Sequence, residues 1–449
     1  MAASIWNDNR AVEAKPCSSL NPMPPKGAQG HVRIMGKMLL PVWIGGALVL
    51  FAGASLSHAR NLDEAVRMGL SINPEVRSAQ SEEAAATTDV TIAKGGYYPA
   101  LSVSAGPRSA NFDGLSYDVT VAQMLYDWGR TTAKVDGAKA ARSKKSEQLR
   151  QKQDKVALDI VETYLDVLST QRQAEGLGSY IAWLRDMQKL TLARSEGNYA
   201  DRAEPERVTL ELARAQEQLA IERGTLDNAR NIYTLLVGER PERLAAPSPA
   251  SVASYVTHNN LDTIVRASPA VRLAQEDTQS AKADLGEIRS STLPQLNIEM
   301  TAMRRDVGGV PYKDSSVMLR LRMSDIQGFS NFLRPRSAER RIEAASLNEN
   351  AVTRDTQREV QTLLDSAMMM RDRVAALEAQ VSASAAVGRT YFDQFTVGRR
   401  DLLDLLNTRR ENFEANRQLI NIRIDLLRVE YRTAAKLGLI GPLIEDELK

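Results

Sequence analysis

The sequence predicts a mainly α chain with a small β part: two β-hairpins set among helices of unusual length. Three observations predict it. Leu101, Val103 and Ala105 alternate with Ser102, Ser104 and Gly106, and Val119 and Val121 alternate with Asp118, Thr120 and Ala122; a period of two marks strands. No proline falls between Arg130 and Glu196, where Val156, Ile160 and Tyr164 form one helical stripe beside Ala157, Val161, Leu165 and Leu168. The pattern then starts again 195 residues on, with Pro269 and Pro294 echoing Pro74 and Pro99. Two matches at one spacing, each at an element start, indicate an internal duplication.

A leader, residues 1–59, precedes these elements. Arg33 and Lys37 lead into an apolar run over 38–52, and Ser57-His58-Ala59 offers small residues at the cleavage positions. This is the form of a secretory signal peptide cleaved near Ala59; the run is shorter than the ~20 residues a spanning helix needs. Met35 to Ala59 alone has that form, which makes Met35 a candidate start. Removing the leader takes away five basic and two acidic side chains, leaving 53 basic against 54 acidic residues. A near-neutral chain gives nucleic-acid binding no electrostatic support. The one cysteine, Cys17, lies in the leader, so the exported chain is held by packing or oligomerisation rather than disulfides. His258 is the one histidine left after cleavage, which argues against most metal sites and nucleophile triads. The carboxylates are scattered along helical faces with no pair singled out by a motif, so neither an enzyme nor a cofactor is expected.

Taken in order, the first repeat spans 60–258. A short helix over 61–73 is followed by one opened by Pro74 and stopped near Gly95. Hairpin 98–126 has a polar loop, Pro107 to Ser116. A long helix, 130–196, would run ~100 Å, a length suited to coiled coils and tubes. Gly197 to Asp201 form its tip, and a return helix covers 201–237. Gly238 to Asn259 reads as an irregular connector, with His258 a solvated loop residue. The second repeat, 259–449, has hairpin 294–323, long helix 337–395, a turn at Gly398 to Asp401 and a return helix 401–437. That last helix carries a heptad-like seam, Phe413, Ile420, Ile424, Leu427, Tyr431 and Ala434. Each half thus reads as helix, hairpin, long helix, return helix, with one extra short helix at the start of the first.

The second hairpin alternates most clearly. Leu296, Ile298, Met300 and Ala302 face one way, and Asn297, Glu299 and Thr301 the other; Val317, Leu319 and Leu321 oppose Arg320 and Arg322. Four strands cannot close a barrel, and transmembrane barrels use eight or more. Several chains must each donate four, and a trimer gives twelve. Glu299, Arg320 and Arg322 then suit a wet barrel lumen, while Tyr98, Tyr117, Tyr126 and Trp128 suit the membrane interface. The same alternation also describes a soluble sheet on a helix. The export signal, the missing cysteine and the very long helices favour the membrane reading.

The chain resembles the TolC family of outer-membrane efflux and secretion channels. The carrying residues are Asn73-Pro74-Glu75-Val76 with its repeat, Tyr98-Pro99-x-Leu101, Gln123-x-Leu125-Tyr126-Asp127-Trp128-Gly129-Arg130, and Phe395-x-Val397-Gly398-x-x-Asp401-Leu402-Leu403-Asp404-Leu405-Leu406-Asn407. The resemblance implies a homotrimer whose twelve-stranded outer-membrane β-barrel continues into a periplasmic α-helical coiled-coil barrel, each long helix matched by two shorter ones end to end. It implies a passive exit duct for a tripartite efflux pump or type I secretion system. Its partners are a periplasmic adaptor, an inner-membrane pump or ABC transporter, and outer-membrane lipid. Counting from Gly398, the family's acidic periplasmic aperture falls on Asp404 and Asn407, with Asp401 able to stand in for the second acid; Asp401 and Asp404 equally suit the first turn of a helix. Adaptor docking falls on the tips, at Gly197, Asp201, Gly398, Arg399 and Leu405. Glu204-Pro205-Glu206-Arg207 departs from the Leu-rich run expected at the first tip. The alternative from a different class is an exported periplasmic coiled-coil adaptor or scaffold.

Overall fold

A computed structural model describes residues 61–107, 115–197, 201–241, 244–247, 256, 260–307, 310–323 and 330–441. The leader with its expected cleavage near Ala59, the first hairpin's loop tip and His258 lie outside the described residues.

Helix α1 (Leu62–Ile72) leads into α2 (Pro74–Lys94). Pro74 sits at the first helical position, where its missing N–H costs nothing, and the Asn73 side chain caps the backbone N–H groups of Glu75 and Val76. Strands β1 (Ala100–Pro107) and β2 (Leu115–Tyr126) follow, then α3 (Arg130–Glu196) and α4 (Ala203–Val237). The second half holds α5 (Leu261–Arg266), α6 (Pro269–Ser291), β3 (Gln295–Val307), β4 (Val310–Arg322), α7 (Ser330–Thr396) and α8 (Leu402–Leu437).

Two expectations need correction. The second half also has its short leading helix, α5; six residues containing Thr263, Ile264 and Val265 give too little helical pattern to read, because β-branched side chains favour strands. Helix α7 begins at Ser330 rather than 337 and takes Pro335 inside it. A proline there removes one backbone hydrogen bond, which a helix of 67 residues absorbs near its end.

The helices form a layer four columns wide. Along α3, α2 covers the first third, tied by Glu83–Arg142 and Glu75–Lys152, and α4 covers the remainder, with Thr209 against Gln188. Helices α6 and α8 cover α7 in the same way, through Arg289–Glu339 near the strands and Arg423–Glu378 farther down. Helix α3 also packs on α6 and α8, through Lys144–Asp277 and Arg432–Glu162. The order across the layer is therefore α2 with α4, α3, α6 with α8, and α7. Both 67-residue helices run ~100 Å.

Two apolar cores hold this layer. The larger surrounds Ile160, Tyr164, Tyr233 and Tyr431, closed by Leu62 and Val66 of α1 and Val265 of α5. Tyr164 donates its hydroxyl proton to the Ala245 carbonyl at 2.6 Å, so its polar end is satisfied in the core. The smaller core lies near the far end and joins Leu184, Met187, Val208, Phe395, Leu402 and Leu405.

The four strands make one antiparallel sheet in the order β1-β2-β3-β4. Leu101 pairs with Val121, Val121 with Met300, and Met300 with Val317, so one apolar row crosses all four strands. The next row is polar: Ser102, Thr120, Thr301 and Ser316. Strands β1 and β4 are the two unpaired edges.

The junction between sheet and helices is built by Asp127, Trp128 and Gly129. The buried Asp127 carboxylate accepts from the N–H groups of Gly129 (3.1 Å) and Thr131 (2.7 Å), capping the start of α3. Trp128 takes a positive φ of 57°, and Gly129 one of 82°. Trp128 Nε1 donates to the Pro294 carbonyl and Ser290 Oγ donates to the Trp128 carbonyl, which stitches the two halves together at the level where helix becomes strand.

Candidate functional site

The two faces of the sheet differ in chemistry, with the apolar residues on one and the polar residues on the other. Leu101, Val103, Val317, Leu319 and Leu321 are each more than 60 % exposed, while Asn297 and Glu299 are 6 % and 1 % exposed. Apolar side chains thus form a contiguous band across one face of the four strands, while on the other face Asn297 and Glu299 are shielded by their sheet neighbours. Contiguous apolar surface of this kind marks a membrane or partner contact. A soluble sheet would bury the parity that is exposed here.

On the polar face, Glu299 is clamped by two arginines of β4. Arg320 Nε lies 3.0 Å from Glu299 Oε2, and Arg322 Nη2 lies 2.6 Å from Oε1. The three share a face: Glu299 opposes Met318, so Arg320 is its diagonal neighbour and Arg322 lies one same-face position farther along β4. This corrects one expectation. Glu299 does not present its charge to a wet lumen, because its side chain is only 2 % exposed; the half-exposed arginines are the charges on view. Arg305 adds an ion pair to Asp118 on the same face.

The aromatics mark two levels. Tyr98, Tyr126 and Trp128 lie at the helical end of the sheet, where the Tyr126 and Trp128 rings meet edge to face at 4.9 Å. Tyr117 lies toward the other end, opposite Arg304. Nine residues of extended strand span roughly 30 Å, and at the usual barrel tilt that becomes about 23 Å, close to the ~25 Å apolar band of outer-membrane barrels.

The far end joins the two helical tips. Arg194, at the end of α3, donates to the Phe395 carbonyl at 2.8 Å and stacks 4.3 Å above the Phe395 ring. Arg400 lies 3.9 Å over the Tyr391 ring and 3.1 Å from Asp404 Oδ2. Gly398 adopts φ 73°, a conformation that favours glycine, and ends α7. Gly197, Arg399, Asp401, Asp404 and Asn407 are accessible at this tip, with Asn407 Oδ1 accepting from Arg410 at 3.3 Å. Asp201 is exposed and caps α4 through the Ala203 N–H at 3.2 Å. The Glu204 carboxyl is pushed up by burial, with Arg194 opposing and Asp401 and Asp201 reinforcing the shift, so acids of both tips sit near one another.

Leu405 is the second correction. It is 1 % exposed and belongs to the tip core with Phe395 and Leu184, so it is not a docking residue. Helical spacing sends Leu402, Leu405 and Leu406 inward and leaves Leu403 outside. The arginine clamps at 194 and 400 went unassigned in the sequence. Arg194 meets Phe395 across 201 residues, and no local pattern marks such a contact.

A sheet with its apolar face outward, set at the end of a long helical layer, defines one protomer of a membrane β-barrel channel with a helical extension. The family described as outer membrane efflux protein matches residues 66–238 and 261–438, once for each repeat. The chain belongs to this family, a family of channel proteins rather than enzymes. Outer membrane protein TolC of Vibrio cholerae is 22 % identical over 416 residues, covering 87 % of this chain and 93 % of that protein. Among solved structures, CusC superposes with a TM-score of 0.71 at 14 % identity, over 86 % of this chain and 95 % of CusC. The outer membrane protein VceC of Vibrio cholerae superposes with a TM-score of 0.69 at 14 % identity, over 84 % of this chain and 96 % of VceC.

Proposed function

We propose that three copies of this chain close into a twelve-stranded outer-membrane barrel continued by a periplasmic helical tube, and that the assembly is a passive exit duct. The observation that carries this reading is the inverted sheet with two free edges. Its apolar face is outward and continuous from β1 to β4, so closure edge to edge satisfies the open backbone groups and leaves lipid as the natural solvent for that face. The helical layer supports the same closure. Its edge columns carry exposed apolar residues, Ile221 and Leu235 on α4 and Leu347 and Met368 on α7, which suits a head-to-tail ring.

The tips then face an adaptor of a tripartite efflux pump or type I secretion system, driven by an inner-membrane pump or ABC transporter. Gly197, Asp201, Gly398 and Arg399 are the docking positions, and Asp401, Asp404 and Asn407 line the aperture. Arg320 and Arg322, braced by Glu299, give the barrel lumen a positive girdle. Tyr98, Tyr117, Tyr126 and Trp128 lie at the two membrane interfaces. A coiled-coil adaptor or scaffold would leave the outward apolar face without an occupant.

Fractionation tests this directly. Heat-labile trimers in outer-membrane extracts, with single-channel conductance in planar bilayers, are the expected result. Soluble periplasmic monomers with no conductance would overturn it.

A further inference from the structure

A cavity of about 820 Å³ lies where α8 ends and α6 begins, walled on its two sides by α3 and α7. The joint is tight: a Cβ on Gly438, which holds φ 71°, would lie 2.8 Å from Pro269 Cδ. The column cannot fill the space beside this joint, because α8 stops at Leu437 and α6 starts at Pro269. Leu158 and Ala435 of the cavity wall are partly buried and pack against the large core, so the cavity borders that core.

Its chemistry is lopsided. Five cations line it, Lys152, Lys155, Arg358, Arg432 and Lys436, against two acids, Asp154 and Glu359. Four of the cations have acid partners: Lys152 with Glu75, Arg358 with Asp355, Arg432 with Glu162 and Lys436 with Glu359. Lys155 forms no salt bridge of its own among the described residues, although its charge acts on the neighbouring Glu75 and Asp159 carboxylates. Burial raises the Asp154 carboxyl to about 6, which leaves it mostly an anion at neutral pH, so the five cations face two acids. Leu158, Leu363, Ala435 and Pro269 supply an apolar wall, and Pro269 and Ala270 bring the positive end of the α6 dipole to it. The volume falls within the range of sites for small organic ligands.

We propose that this cavity is a binding site for amphipathic organic anions, the anionic group held by Lys155 and Lys436 and the apolar body lying against Leu158 and Leu363. Binding here does not depend on the exit-duct reading, so the two fail separately. The site differs from the tip and from the sheet, both of which lie tens of ångströms along the helices.

The test uses the full-length purified protein and a matched pair of photoreactive probes, an azidonaphthalene sulfonate and the same azidonaphthalene without the sulfonate. Labelled peptides are mapped by mass spectrometry. The anionic probe is expected to label the segments around 151–158 and 432–436 about tenfold more than the neutral one, the ratio a single good ion pair supplies. Lys155→Glu is expected to remove that preference, as is Lys436→Gln, while Lys189→Glu, on the same helix but far from the cavity, leaves it intact. Lys155 is exposed, so its substitution leaves the packing in place, and unchanged helicity checks this. Equal labelling by both probes, or a preference that survives both cavity variants, would overturn the site.

Discussion

Arg322 holds Glu299 at 2.6 Å from across the β3–β4 pair, and Arg320 holds its other oxygen at 3.0 Å. The carboxylate is covered and the two guanidinium groups are half exposed, so the cluster carries a net positive charge outward from a buried acid. Removing both arginines strands that acid without a partner. The double variant Arg320→Ala/Arg322→Ala is expected to cost about 3–5 kcal/mol, the usual penalty for an uncompensated buried charge. Adding Glu299→Leu should restore most of the loss, since nothing charged is then buried. The heat midpoint of trimer dissociation checks both, and a triple variant no better than the double would show that the acid is not the source.

The strand-to-helix turn makes a sharper demand on sequence. Asp127→Ala deletes two capping hydrogen bonds at the start of α3 and should cost about 1–2 kcal/mol. Gly129→Ala should cost a similar ~1–2 kcal/mol through its positive φ rather than through crowding, since a Cβ there meets nothing. Asp127→Asn, which keeps an acceptor, should fall between wild type and Asp127→Ala in thermal melts followed by circular dichroism.

Asp154 contributes a pH dependence whose sign follows from burial. Its folded-state carboxyl titrates at about 6, above the ~3.9 of an unfolded aspartate. The folded state therefore binds the proton more tightly, and stability falls as pH rises from about 4 to about 6, then stays level. Asp154→Asn should melt a few degrees above wild type at pH 7 and coincide with it below pH 4. A gap that persisted at low pH would place the effect elsewhere.

The leucines of the second tip separate packing from docking. Leu405 is buried against Phe395, so Leu405→Ala is expected to cost about 2–5 kcal/mol. Leu403 is 41 % exposed, and Leu403→Ala should stay within about 0.5 kcal/mol. Chemical denaturation distinguishes the two.

Much of this architecture was legible because periodic pattern reports which way side chains point. The alternation of Leu296, Ile298 and Met300 with Asn297, Glu299 and Thr301 gave the two faces of β3, and the duplicated Pro74 and Pro269 marked two helix starts at their first helical positions. What stayed hidden depends on partners far away in sequence. Periodicity placed Glu299 on the polar face, but its cover comes from two β4 arginines across the strand pair. The six leucine-rich residues after Asp401 fix a helix; which of them pack inward is decided by Phe395 and Leu184 on two other helices. Helix α5 was too short for any pattern to accumulate, and Pro335 is a local breaker overruled by the helix around it.

Arg400 bears on the acidic aperture proposed for Asp404. Asp404 is exposed, yet its carboxylate lies 3.1 Å from Arg400, whose guanidinium is held over the Tyr391 ring. A ring of Asp404 side chains related by threefold symmetry would attract divalent cations, but each acid is already partly neutralised by its own chain. Asp404→Ala is expected to weaken single-channel block by divalent cations. Arg400→Ala is expected to strengthen it, because three carboxylates then lose their internal counter-charge. Combining the two should give the Asp404→Ala behaviour, since the arginine acts only through the acid. Block that weakened in Arg400→Ala would mean that the Tyr391 stacking holds the aperture shape and that the loss of order outweighs the gain in charge.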